Sequence, residues 1–126
     1  MAGTEQTSKK GGDALIPVPS GQKVTLMETI WNVRGPEGLA IRFRFLAPAI
    51  TKGSGKVTPD QAEADMMALC HDYALKRIGD ATGPKPAQII ISLSDRPVPF
   101  GQSDAAATQF IDSFTLTNGD CVWSLF

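Results

Sequence analysis

The chain has 126 residues, 42% of them hydrophobic and 20% charged, with a formal net charge of −1. That length suits one domain and buries a core without help from a metal. The near-neutral balance excludes the basic face that nucleic acid or an anionic membrane surface requires, and no run approaches the ~18 apolar residues of a transmembrane helix.

Residues 1–21 are polar and then proline-bearing, with Pro17 and Pro19. This composition predicts a flexible N-terminal tail ahead of a single domain over 22–126. Met1–Gly12 (MAGTEQTSKKGG) has no apolar stretch of the signal-peptide kind. The chain is therefore either cytoplasmic or begins after a removed signal, and the cysteines below favour the second.

Val24–Val33 (VTLMETIWNV) is β-branched and apolar and reads as a strand. Arg34–Gly38 is a turn, since its Gly and Pro residues supply the backbone angles. Leu39–Ala47 alternates strictly: Leu39, Ile41, Phe43, Phe45 and Ala47 fall on one face, and Ala40, Arg42, Arg44 and Leu46 on the other. The second face, with Ser92, Ser113 and several threonines, is expected to stay wet. Thr51–Lys56 is a Gly-rich loop. It lacks P-loop spacing, and Val57 stands where Ser or Thr is required.

A helix follows. Thr58 is the N-cap, Pro59 the first helical residue, and Gln61 completes a capping box. Gly79 fits the position just past the helix end. Met66, Met67, Cys70, Tyr73, Ala74 and Ile78 share one apolar stripe at ~100° per residue, with Ala64, Ala68 and Leu75 opposite.

Asp80–Ala87 is a loop. Gln88–Ser94 (QIIISLS), with three successive isoleucines, predicts a strand covered on both faces or central in its sheet. Asp95–Gln102 is a Pro-rich loop, and Ser103–Thr108 one helical turn. Asn118-Gly119 marks a two-residue hairpin, pairing Leu116 with Cys121 and Phe114 with Trp123. A helix running on from Ser103 through Phe114 is the alternative. The expected fold is α+β: one main helix on a mainly antiparallel five-stranded sheet, in the order β-β-α-β-β-β.

The two cysteines, Cys70 and Cys121, both point inward by these assignments. Elements that pack together bring such a pair within the ~5.5 Å Cα spacing of a disulfide, which implies an oxidising compartment. The alternative is two separate buried thiols. Soft metal ligation is not supported: the only histidine is His71 and there is no CxxC. No cofactor is implied.

Arg42 and Arg44 project the same way and suit a carboxylate or phosphate group. With Ser94, Asp95 and Arg96 at the end of a strand, they form the candidate binding surface; Trp31 is a weaker candidate anchor. No serine has a histidine nearby in sequence and no nucleophile elbow exists. Cys70-His71 and His71-Asp72 are adjacent helical residues, which do not face one another.

LAIRFRFLAPAI (Leu39–Ile50), LCHDYAL (Leu69–Leu75), QIIISLSDRPVPFG (Gln88–Gly101), TQF (Thr108–Phe110) and NGDCVW (Asn118–Trp123) together resemble a family of small exported alphaproteobacterial proteins with a domain of unknown function. The resemblance spans roughly Gly21–Phe126 and implies export and the disulfide; it assigns no functional residue. Three functions are compatible. The first is an exported, periplasmic, disulfide-bonded monomer that binds a protein or small-molecule partner without catalysis. The second is an enzyme whose site assembles from Ser94, Asp95, Arg96 and His71. The third is a thiol–disulfide redox protein.

Overall fold

The computed structural model describes residues 6–35, 38–80 and 85–124. Six strands form one sheet in sequence order: β1 (Thr7–Lys10), β2 (Thr25–Gly35), β3 (Gly38–Leu46), β4 (Gln88–Ser94), β5 (Gln109–Thr117) and β6 (Asp120–Trp123). Four neighbouring pairs are antiparallel and β3–β4 is parallel. A parallel pair cannot be closed by a tight turn, so the chain crosses over through its helix. The fold is α+β as expected, but the sheet has six strands rather than five, in the order β-β-β-α-β-β-β. The added strand is Thr7–Lys10, a polar stretch with no apolar alternation to announce it; it pairs from Thr7 opposite Trp31 to Lys10 opposite Glu28. Gly11 continues it, donating to the Met27 carbonyl at 2.7 Å. A Cβ at Gly11 would lie 1.9 Å from the Leu26 carbonyl oxygen.

β2 is bent by two irregularities, one at Met27 and one at Trp31–Asn32, where Asn32 takes φ 59°. Asn tolerates this left-handed conformation better than most residues. The expected turn at Arg34–Gly38 includes Pro36 and Glu37, which lie outside the described residues, as do Gly83 and Pro84 of the loop before β4.

The helical segment comprises α1 (Pro59–Ala68), a wide π turn (Leu69–Ala74) and α2 (Leu75–Asp80). The capping box forms in both directions: Gln61 N–H donates to Thr58 Oγ1 at 3.2 Å, and Thr58 N–H to Gln61 Oε1 at 2.9 Å. Gly79 does not end the helix. It lies inside α2 without a left-handed φ, and the C-terminal carbonyl of Ile78 is instead met by Lys85 Nζ at 3.1 Å. Met66, Cys70, Ala74 and Ile78 are buried, as their stripe predicts. They pack with Leu69 on Ile41, Phe43, Phe45, Ile89, Ile91, Leu93 and Phe114.

β4 is central, between β3 and β5, which explains its apolar run on both faces. Asn118 (φ 53°) and Gly119 (φ 77°) make the two-residue turn. Phe114 pairs with Trp123 and Leu116 with Cys121. The helical alternative for Ser103–Phe114 is overturned. Asp104 Oδ1 accepts from Ala106 N–H at 2.9 Å, a side-chain turn that takes the place of a helical one, and β5 begins at Gln109.

Cys70 in the π turn and Cys121 in β6 form a disulfide, with Cα atoms 6.3 Å apart and a sequence separation of 51. Beside it, His71 Nε2 meets Asp120 Oδ1 at 2.6 Å. The disulfide and this side-chain contact thus join the same two elements at successive residues. Among the described residues, no helix is long and apolar enough to cross a membrane.

Candidate functional site

The register places Glu28, Ile30, Arg42, Arg44, Ile90, Ser92, Ile111, Ser113 and Val122 on the sheet face away from the helix. This face was expected to stay largely wet, but its middle is covered, while Ile111 and Val122 remain exposed. Arg44 is 5% exposed, and Ser92 and Ser113 are buried. The cover is the Pro-rich loop after β4: Val98 is buried, and the Phe100 ring sits over both guanidiniums, 5.1 Å from Arg42 Cζ and 5.7 Å from Arg44 Cζ. A loop carrying Val98 between two prolines and Phe100 just after them has apolar surface to bury, and the nearest place is the sheet it has just left.

Arg44 donates to Glu28 Oε1 and to the Val98 carbonyl. Arg42 makes no hydrogen bond among the described residues, and its Nε is buried without a partner, as is that of Arg44. Burial, then the Arg44 charge, pulls the Arg42 guanidinium below its ordinary range, with Glu28 opposing. Two cations therefore share one carboxylate, and the uncompensated charge is on Arg42.

Ser94, Asp95 and Arg96 are brought to the same place in a different capacity: they fasten the root of the loop. Ser94 Oγ donates to the Arg96 carbonyl at 2.6 Å. The Asp95 carboxylate accepts from Arg96 Nε (3.2 Å), Thr108 N–H (3.0 Å) and Thr51 Oγ1 (3.1 Å). Desolvation pushes the Asp95 carboxyl up, but these bonds and the Arg96 charge outweigh it and hold the group below the ordinary carboxylate range. The same contact raises the Arg96 pKa.

His71 is occupied elsewhere, by Asp120 of β6, while Asp95 is held by Thr51, Arg96 and Thr108. His71 Nδ1 and Asp72 Oδ1 are 3.9 Å apart, beyond hydrogen-bond reach. Sequence reasoning missed Glu28, Val98 and Asp120. Glu28 opposes Arg44 only once the bulge at Met27 is known, and Asp120 meets His71 only through tertiary packing. Among the described residues, no cluster of three His, Cys, Asp or Glu side chains is placed to hold a metal.

The fold and this site define a small disulfide-closed α+β domain with a loop-capped arginine pair on one face of its sheet. The chain belongs to a family of unknown function (DUF6497), which matches it over residues 1–126. This agrees with the resemblance as far as a domain of unknown function is concerned. No curated protein matches the chain, and no solved structure does.

Proposed function

We propose that the protein is an exported, disulfide-bonded binding domain that docks a partner on the Arg42 face, with Arg42 taking a carboxylate of that partner. The supporting observation is the pair of adjacent guanidiniums served by one carboxylate, with Arg42 left without a hydrogen-bond partner among the described residues. The surroundings suit an interface more than a substrate pocket. Phe100 lies on the cation, and Ile111 (56% exposed) and Val122 present apolar side chains farther along the same face. Arg within an apolar patch is the composition of interface centres. Export is supported by the disulfide, which persists in oxidising compartments.

The test is cross-linking in the native cell envelope with wild type, Arg42→Gln, Arg42→Glu and Ile111→Asp. The wild type should recover the same partner reproducibly. Arg42→Glu and Ile111→Asp should each reduce it about tenfold or more while keeping the wild-type circular dichroism spectrum, with Arg42→Gln intermediate. Recovery of nothing reproducible, or equal recovery by all four proteins, sinks the proposal.

A further inference from the structure

The opposite face of the sheet carries a second feature, independent of the arginine pair. The helix packs over β4, β5 and β6 and reaches Phe43 and Phe45 of β3 through Tyr73, so the sheet stands open beside it at β1 and β2. A cleft of about 250 Å³ lies there, floored by Thr29 and Phe43 and walled by Trp31, Tyr73, Arg77 and Lys9. A hollow of about 230 Å³ adjoins it, sharing Leu26, Tyr73 and Arg77.

The cleft has a consistent chemistry. Its lining includes Lys9 and Arg77 and no carboxylate, while Lys10 at its edge stands opposite Glu28 across the β1–β2 pairing. The Arg77 guanidinium lies 3.4 Å from the centroid of the Tyr73 ring and donates to the Tyr73 carbonyl at 3.4 Å, which pins it to the wall. Tyr73 is held edge-on against Phe43 and Phe45, at 6.2 and 5.6 Å between centroids. Among the described residues, neither the Trp31 indole N–H nor the Tyr73 hydroxyl has a hydrogen-bond partner. Flat aromatic walls favour a flat apolar body by stacking. Uncompensated cations and free donors favour an anionic acceptor on it.

We propose that this cleft binds a small aromatic carboxylate, its rings against Trp31 and its carboxylate toward Arg77 and Lys9. The proposal stands apart from partner docking, since it uses other residues on the other face.

The experiment is a two-dimensional NMR titration following the Trp31 indole N–H, in a Trp123→Phe background that removes the other indole signal. The probes are indole-3-acetate, 2-naphthoate and 4-hydroxybenzoate, each compared with its neutral amide. At least one acid should saturate and shift the Trp31 signal, its amide binding about tenfold or more weakly. Arg77→Gln should erase that preference, and Arg42→Gln should leave it intact. The inference is overturned if no acid saturates in the millimolar range, or if acids and amides bind alike. It is equally overturned if Arg77→Gln retains the preference or Arg42→Gln removes it.

Discussion

Two aspartates carry much of the tertiary wiring. Asp65 is fully buried in α1 and accepts from Ser20 N–H (2.9 Å), Ser20 Oγ (2.5 Å) and Gln22 Nε2 (2.7 Å), which ties the N-terminal segment to the helix. Its burial depends on a segment some 45 residues earlier in the chain. Asp95 joins the end of β4 to Thr51 and Thr108. Because its folded pKa lies below the ordinary value, its contribution is complete above the unfolded carboxyl pKa and lost as pH falls through the folded one. Asp95→Asn should therefore lower the urea midpoint at neutral pH. The gap to wild type should close as pH falls below about 3.9. An unfolding series across pH checks this; a gap unchanged at acid pH contradicts the role.

At the scale of elements, local chemistry is reliable where it is self-contained. The Thr58–Gln61 capping box and the Asn118-Gly119 turn each satisfy their backbone groups within a few residues. Thr58→Ala should accordingly destabilise the protein by about 1 kcal/mol in chemical unfolding, and no loss would mean that tertiary packing alone holds the helix start. The far end of the helix is less local. Lys85 supplies the stop that Gly79 was expected to give. The π turn at Leu69–Ala74 sits where Cys70 and His71 meet β6. Nothing in the spacing of the apolar stripe distinguishes it from regular α-helix. Strand β1 is polar throughout and held by β2 main-chain pairing and the close approach at Gly11. Side-chain periodicity carries no signal for such a strand.

At the scale of the whole molecule, one helix is too narrow for this sheet. Six strands at ~4.8 Å spacing span ~24 Å, and a helix with side chains is ~10 Å across, so it covers two or three strands. Its contacts are mainly with β4–β6, where the disulfide fastens it, and Tyr73 extends the cover to Phe43 and Phe45 of β3. Ile16 and Val18 of the N-terminal segment pack against the core, and the aromatic cleft is what remains open. On the other face the Pro-rich loop covers Arg44 and leaves Arg42 short of a carboxylate. The disulfide should be visible as an intact mass that takes up no alkylating label until reductant is added. Replacing both cysteines by alanine should cost about 2–5 kcal/mol in urea unfolding. Labelling of both thiols without reductant, in protein prepared under oxidising conditions, would refute the bridge.

The sequence by itself determined the α+β class, the alternating strand (read over Leu39–Ala47, observed over Gly38–Leu46), the helix start, the final hairpin with its register and the inward placement of both cysteines. Each depends on periodicity, capping or turn geometry, which act over a few residues. Only the tertiary structure decided the sixth strand, the burial of Arg44, the pairing of His71 with Asp120 and the cleft beside Tyr73. These depend on which surfaces a single helix and a single loop can reach, and that is a property of the closed fold.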